Sequence, residues 1–350
     1  MRIPEDTMTP KERMAAMVAG KRPDRVPCQP FLGQNTAFYF GHTSKEFNNS
    51  ATVMTDVLVK AFRKFRPDGI SVNPSLQGIP EALGCRLAFQ KYGAPLVIEP
   101  GLKSYDEIAD KAPVNPFTDG RLPHYLETVQ AVHATIGHEA CIGFSSGGPF
   151  TAAALLTGTD RFFKDLIRKP EKIHQVLELT TQSVINLIDA VCGMGFGYTP
   201  AEPLASSSLI RRDYFRTFAM PYLKQITAHM EEKFGKKATI HICGHSKDIW
   251  TDIVECGFSG FSIDNCESIA EVCAAVGDKL TIVGNVPPVD ALLNGSADTV
   301  RDASLQCLRE GMNNPRGFVL ASGCEIPVGT PEENILAMVE TARVHGRYSQ

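Results

Sequence analysis

The 350-residue sequence has no CxxC pair, no compact cysteine framework, no low-complexity linker and no short internal repeat. Its ten cysteines are scattered along the whole chain. In a chain of this length, that distribution argues against a disulfide scaffold and predicts reduced thiols and a cytoplasmic location. Without a linker to divide it, the chain is expected to form one domain over residues 1–350.

A surplus of charge of one sign is also missing. The 35 Lys and Arg residues nearly balance the 39 Asp and Glu residues, and the formal net charge is -4. Nothing in this balance predicts a nucleic-acid partner or an anionic membrane surface. Residues 1–14 are charged and lack the apolar segment of a secretory signal, so no export is expected. The longest uncharged run, residues 140–159, is diluted by Gly, Ser, Thr and Pro and predicts a buried strand, a loop and a helix start.

What the sequence does contain is a regular alternation of short β-rich runs and longer helical patterns. Thr9, with Glu12 three residues later, forms a capping box that predicts an N-terminal helical extension. Alternating strands and helices predict a parallel sheet, and eight units favour a (β/α)8 TIM-type barrel. Residues 85–102 predict a β-hairpin insertion after the second strand. The eight strand candidates are residues 25–32, 68–74, 140–146, 196–203, 238–244, 260–265, 280–288 and 317–327.

In such a barrel, the chemistry lies at the carboxyl ends of the strands. Successive side chains of a strand point to opposite faces, so the fifth candidate directs His241 and Cys243 to the same side. The eighth candidate ends at Cys324. The fourth, sixth and seventh end in further polar residues, namely Glu202, Asp264 and Asn285. Asp and Asn also favour such positions as turn residues, but the ends of consecutive strands converge on one cavity.

One imidazole and two thiols form a ligand set that suits Zn²⁺. Three protein ligands leave a fourth tetrahedral position open, which is the pattern of catalytic rather than structural zinc. His245 and Cys256 are nearby in sequence but rank lower as ligands, since they fall past the strand end. The competing interpretation is a buried free cysteine and a hydrogen-bonded histidine.

A serine hydrolase is a lesser alternative. Residues 143–147 satisfy G-x-S-x-G, which would make Ser145 a nucleophile on a strand-to-helix turn. Asp264 or Asp290 would supply the acid, and His345 is the only histidine later in the chain. A barrel that binds a ligand without catalysis, with a residual zinc site, is a further possibility.

The H-x-C-G pattern at His241 and the Gly-Cys-Glu-Ile-Pro context of Cys324 carry a resemblance to a known family. With the opening residues 9–27 and the segment 284–288, nearly the whole chain resembles the corrinoid-dependent methyltransferases of the uroporphyrinogen decarboxylase superfamily. The resemblance implies a barrel in which His241, Cys243 and Cys324 bind zinc. It also implies methyl transfer between methylcobalamin and a small acceptor, either a coenzyme M-like thiol or tetrahydrofolate.

For the site residues, Glu202 and Asp264 are the candidates for handling the proton or holding the acceptor, and Asn285 and Ser145 are candidate substrate contacts. The chain has no Asp-x-His-x-x-Gly corrinoid-binding motif, so the cobalamin is expected to arrive on a separate corrinoid protein. The alternative within the superfamily is a uroporphyrinogen decarboxylase-like lyase. Such enzymes carry arginines after the first strand, whereas residues 31–41 contain none. An anionic tetrapyrrole needs cationic partners, so this departure argues against the lyase.

Overall fold

Eight parallel strands form a nearly closed barrel in the computed structural model, which describes residues 5–348. The strand order around the barrel is β1-β10-β9-β8-β7-β6-β5-β2, and β3 pairs with β4 in a separate antiparallel hairpin. Both the predicted TIM-type barrel and the hairpin insertion after the second strand are confirmed. The strands are β1 (Cys28–Gln29), β2 (Gly69–Val72), β3 (Arg86–Ala88), β4 (Leu96–Glu99), β5 (Cys141–Gly147), β6 (Gly197–Ala201), β7 (Thr239–Ile242), β8 (Gly260–Ile263), β9 (Thr281–Val286) and β10 (Phe318–Ser322).

Helices surround the barrel, and the first of them is the predicted N-terminal extension. Its capping box is present, because Thr9 Oγ1 accepts from Glu12 N and the Glu12 carboxylate accepts from Thr9 N. Among residues 5–348, no helix combines the length and hydropathy needed to cross a bilayer. The α-helices are α1 (Pro10–Val18), α2 (Ser44–Asn49), α3 (Ala51–Phe65), α4 (Gly78–Ala82), α5 (Leu122–Ile136), α6 (Pro149–Thr157), α7 (Thr159–Arg168), α8 (Pro170–Gly193), α9 (Arg212–Tyr214), α10 (Met220–Phe234), α11 (Trp250–Glu255), α12 (Ile269–Val276), α13 (Ala297–Gly311) and α14 (Glu332–His345). Short 3₁₀ turns span Gln34–Phe40, Tyr105–Asp110, Pro203–Ala205 and Lys247–Ile249, and π turns span Phe215–Ala219 and Pro288–Leu293.

The barrel strands are formed by apolar and uncharged polar residues. None of the eight contains Asp, Glu, Lys or Arg, so charged side chains occur only at and beyond the strand ends. In β7, Ile240 and Ile242 are completely buried in the hydrophobic core, while Thr239 and His241 are half-buried on the other face of the strand. This alternation aims His241 away from the core, as the period of two requires.

The seam of the barrel lies between β1 and β2 and is closed by Asp68. Its backbone N–H donates to the Cys28 carbonyl over 2.8 Å, and its carboxylate Oδ2 accepts from the Cys28 N–H over 2.6 Å. The same carboxylate also forms hydrogen-bonded ion pairs with Arg13 Nη1 and, over 2.7 Å, with Arg25 Nη1. Asp68, Arg13 and Arg25 are all fully buried. Arg13 also pairs with Asp24, and Arg25 with Asp6, but Asp68 is the anion that the two buried guanidinium groups share, and removing one member of a buried ionic network is costly.

We therefore expect Asp68→Asn to destabilise the fold strongly. The free energy of unfolding should fall by about 3–5 kcal/mol, because Arg13 and Arg25 lose the anion between them. Asp56→Asn is the matched control, since Asp56 pairs with Lys60 on an exposed helix face. An exposed pair of this kind contributes only about 0.3–0.5 kcal/mol. Urea unfolding of the two variants provides the measurement, and equal losses would contradict a dependence on the seam.

Candidate metal centre

His241, Cys243 and Cys324, here called the triad, meet at the mouth of the barrel, the end where the strands terminate in their carboxyl ends. His241 lies within β7, Cys243 directly follows that strand, and Cys324 is the second residue after β10. His241 Nε2 is 3.1 Å from Cys243 Sγ, and Cys243 Sγ is 3.5 Å from Cys324 Sγ. The three ligand atoms all lie within 4.8 Å of one another. The structure thus brings the three predicted ligands together, and metal binding by them stays a prediction.

Two glycines let the chain reach this geometry. Gly244 turns the chain immediately after Cys243 with φ +75°, a conformation that L side chains rarely adopt. A Cβ at this position would also lie 2.6 Å from Ser208 Oγ. Gly323 precedes Cys324 and packs so closely on the loop after β8 that a Cβ would lie 2.6 Å from Asn265 N. A side chain at either position would displace a loop that carries a ligand.

Two neighbouring side chains, Ser262 and Phe31, fix the orientation of the His241 ring. Its Nδ1 shares a hydrogen bond of 2.9 Å with Ser262 Oγ on the neighbouring strand β8, which leaves Nε2 facing the thiols. Phe31 packs edge-on against the ring at a centroid distance of 5.6 Å. Partners of this kind fix the orientation of a metal-binding imidazole and raise its affinity for the ion.

The two thiols of the triad behave as a coupled pair. Hydrogen bonding from the Cys243 thiol, followed by His241, lowers the pKa of Cys324 to about 4 against the effect of burial. The neighbouring Cys324, followed by burial, raises the pKa of Cys243 above its ordinary value. The pair therefore holds one proton, because two adjacent thiolates repel each other. A cation in place of that proton would allow both sulfurs to ionise.

The donor set fits zinc. A histidine nitrogen and two thiolates are typical zinc ligands, and among residues 5–348 the group contains no fourth side chain. The open position is what a catalytic zinc needs to bind a substrate atom. Cys256, which ranked lower as a ligand, is buried at the end of α11, with its sulfur directed at the Met220 carbonyl.

Glu202 lies next to the end of the barrel, where its carboxylate caps the N-terminus of α6. Its carboxylate accepts from Phe150 N over 3.0 Å and from Thr151 N over 2.8 Å, which satisfies two free N–H groups of that helix. Burial raises the pKa of Glu202 to about 7, while the hydrogen bonds from Thr151 and Phe150 act in the opposite direction. The residue is completely buried, and its predicted catalytic role stays a prediction.

Asp264 and Asn285 organise the loop that follows β8. Asp264 accepts from Gly244 N over 2.8 Å and from Cys266 N over 3.1 Å, so it joins the loops after β7 and β8. Its negative charge contributes to the raised pKa of Cys243. The Asn285 amide donates to the carbonyls of Asp264 and Glu267. Asn285 is therefore engaged in holding a loop, and its contact with substrate stays a prediction.

Ser145 lies within β5 and not on the strand-to-helix turn expected for a hydrolase nucleophile. In the part of the chain that the structure describes, its hydroxyl bonds only the Ser71 hydroxyl, at 3.2 Å. His345 ends α14 next to Gly346, whose carbonyl accepts from Val26 N before β1 begins. That histidine is thus at the amino-terminal end of the barrel, opposite the mouth, and cannot serve Ser145 as a base.

The prediction from sequence missed Glu325, which directly follows Cys324. Its side chain is open to solvent but stands in a crowded cleft, and this surrounding protein raises the pKa of Glu325 to about 7. The nearby Gln34 side chain acts in the opposite direction on this pKa, and Gln34 is itself held by the Asn48 amide over 2.9 Å. The signal was present, because a carboxylate beside a ligand cysteine at a strand end is a candidate for proton transfer.

Comparisons with known proteins match most of the chain. A family model described as uroporphyrinogen decarboxylase (URO-D) matches residues 9–345. The chain is 28% identical over 338 residues to methylcobamide:CoM methyltransferase MtaA of Methanosarcina barkeri, covering 95% of this chain and 96% of that protein. A uroporphyrinogen decarboxylase of Vibrio vulnificus is 26% identical over 304 residues, covering 83% of this chain and 82% of that protein. A solved methyltransferase structure from Methanosarcina mazei superposes with a TM-score of 0.87 at 26% identity, covering 96% of this chain and 98% of that chain.

We predict that Ser262→Ala weakens zinc binding, because the His241 ring loses the partner that orients Nε2. Losses of about 10–100-fold in affinity are typical when such a partner is removed. Ser259→Ala is the control, since the Ser259 hydroxyl donates to the Ala238 carbonyl before the strand begins. Competition against a chelator of known affinity measures both variants. Equal zinc affinities for the two variants would refute the role of Ser262.

Proposed function

The chain belongs to the uroporphyrinogen decarboxylase (URO-D) family, and from this premise we propose that it is a zinc-dependent methyltransferase. It would transfer a methyl group between the cobalt of a corrinoid, carried by a partner protein, and a small acceptor. The single observation that carries this proposal is the convergence of two thiols and an imidazole at the mouth, with a fourth ligand position left open.

The triad would hold the zinc, and its residues have separate roles. Ser262 orients His241, and the shared proton of Cys243 and Cys324 leaves when the ion binds. When bound, zinc would lower the pKa of an acceptor thiol and keep it as the nucleophilic thiolate. The acceptor sulfur then forms its bond to the methyl carbon as the cobalt–carbon bond breaks, and the electron pair stays on cobalt as cob(I)alamin.

The proton of the acceptor has two candidate carriers beside the triad. Asp264 is close enough to affect Cys243 electrostatically, and Glu325 adjoins Cys324 in a cleft open to solvent. Glu325 is the better suited of the two, because it directly follows a ligand cysteine, it is open to solvent where a proton can be released, and its raised pKa lies closer to neutral pH than that of an ordinary carboxyl group. Glu202 is committed to the N-terminus of α6 and would act only through that helix.

The segment that follows β1 argues against decarboxylation of a tetrapyrrole. Residues 30–43, between β1 and α2, contain no Lys or Arg, so the carboxylates of a porphyrin precursor would find no cationic partner there.

Coenzyme M-like thiols and tetrahydrofolate are both retained as acceptors. The names of the relatives, methylcobamide:CoM methyltransferase and methylated-thiol–coenzyme M methyltransferase, favour a thiol. A nitrogen acceptor needs no activation as a thiolate, so a proton-transferring carboxylate would matter more in that reaction.

The corrinoid partner would dock on the hairpin side of the mouth. Leu96 and Ile98 on β4 are about half exposed, and Tyr92, in the turn of the same hairpin, stacks edge-to-face with Phe38, both also exposed. Apolar side chains gathered on an exposed surface are typical of a protein-binding site. The absence of a corrinoid-binding motif from the sequence requires such a partner, or free cobalamin, as the methyl carrier.

The primary test is formation of cob(I)alamin from methylcobalamin, with coenzyme M and tetrahydrofolate supplied in separate reactions. We expect turnover with one of them. Cys324→Ser should reduce kcat/KM by about 100-fold or more, because the ion loses a thiolate ligand. Cys273→Ser, on α12 and outside the triad, should retain wild-type activity. No turnover by the zinc-loaded wild type with either acceptor, or full activity of Cys324→Ser, would contradict the proposal.

Docking on the hairpin predicts a selective defect in Ile98→Glu. Its rate with a methylated corrinoid protein should fall about tenfold, corresponding to about 1.4 kcal/mol, because a charge is placed on an apolar contact. Its rate with free methylcobalamin should not change. Val18→Glu is the control, since Val18 is 85% exposed at the end of α1, on the opposite side of the barrel. Equal effects with both methyl donors would rule out this docking site.

A further inference from the structure

A second group of metal-ligating side chains lies at the same mouth, separate from the triad. This rim group consists of His245, Cys266 and Glu267, and its ligand atoms all lie within 4.8 Å of one another. His245 Nδ1 is 3.8 Å from Glu267 Oε1. None of the three residues has a role in the methyl transfer proposed above.

The loops that carry the rim group are tied together by the protein itself. Asp264 links them by accepting from Gly244 N and Cys266 N, as described above. A second link runs from Ser246 N to Glu267 Oε1 over 2.5 Å. The backbone beneath all three ligands is therefore held in place before any ion binds. Preorganised ligands lower the cost of ordering a binding site.

Glu267 gives a separate reason to expect a cation. Its side chain is almost completely buried, and its Oε1 accepts hydrogen bonds from the backbone N–H and the hydroxyl of Ser246. The only ion pair it forms among residues 5–348 is with His245, which is charged only when protonated. A buried carboxylate without a permanent counter-charge is costly, and a divalent ion would offset that cost. The donors available to the ion are one nitrogen, one sulfur and one oxygen, a combination suited to zinc.

We propose that the rim group binds a second divalent cation of the zinc class, independently of the triad. Zinc bonds of about 2.0–2.3 Å place tetrahedral ligand atoms roughly 3.3–3.8 Å apart, so the group needs only a small contraction. The side chains that must move are free to do so, because His245 is 70% exposed and Cys266 is exposed. The same exposure makes this site weaker than the triad, since water competes for its ligands.

Metal titration of the chelator-stripped protein tests the rim site. Co²⁺ reports sulfur coordination through its thiolate charge-transfer absorbance, and equilibrium dialysis with Zn²⁺ gives the stoichiometry. We expect two equivalents in the wild type, the second bound at least tenfold more weakly. Cys266→Ser should lose the weaker equivalent and its absorbance, and His245→Ala should lose the same equivalent. Cys273→Ser, a cysteine that belongs to neither group, should keep both.

The outcomes separate this proposal from the proposed function. One equivalent in the wild type, or an unchanged second equivalent in both Cys266→Ser and His245→Ala, would overturn the rim site. Cys324→Ser should lose the tight equivalent and keep the weak one, because the two groups share no ligand. If Cys324→Ser leaves tight binding intact, the zinc proposal for the triad fails while the rim site stands. Circular dichroism and thermal unfolding establish that each variant is folded.

Discussion

Two thiols 3.5 Å apart, beside an imidazole, cannot both be ionised unless a cation lies between them. This constraint gives the triad its chemical character. Without an ion, Cys324 and Cys243 share one proton, and their pKa values move in opposite directions. With an ion, both sulfurs become ligands, and His241 is already turned toward them by Ser262. The features around the triad, including Gly244 and the loop linked by Asp264, maintain that close approach.

The barrel makes the approach possible, because the ligands come from strands that are not neighbours. β8 and β9 separate β7 from β10, so Cys243 and Cys324 meet only because the sheet curves into a barrel. Closure depends on the seam at Asp68, where one carboxylate joins β1 and two buried arginines. Stability and chemistry therefore occupy opposite ends of the barrel, as they do in other barrels of this type. The uncharged strands between them provide a rigid support for both.

The sequence carried most of the information about the triad, for reasons that apply to any strand. A side-chain period of two places His241 and Cys243 on one face, and the convergence of strand ends in a barrel adds Cys324. The hairpin and the capping box of α1 are also defined by residues that lie close together in the sequence, and both are present in the structure. These features depend on spacing along the chain, and spacing is visible without a structure.

Roles that depend on contacts with distant parts of the chain could not be predicted from the sequence. Whether Glu202 faces a substrate or caps a helix depends on α6, some 50 residues earlier in the chain. Ser145 matched a turn motif, but the strand continues to Gly147, and no local pattern marks where a strand must end. Glu325 gains its character from the cleft around it and from Gln34, which comes from the other end of the sequence. In each case, the deciding atom belongs to a distant segment.

Zinc K-edge X-ray absorption of the protein loaded with one equivalent of zinc tests the triad most directly. We expect a tetrahedral ion with two sulfur ligands at about 2.3 Å and two nitrogen or oxygen ligands at about 2.0–2.1 Å, one of them from solvent. Addition of a thiol acceptor should raise the number of sulfur ligands from two to three. A first shell with no sulfur, or one already closed by four protein ligands, would contradict a catalytic zinc held by His241, Cys243 and Cys324.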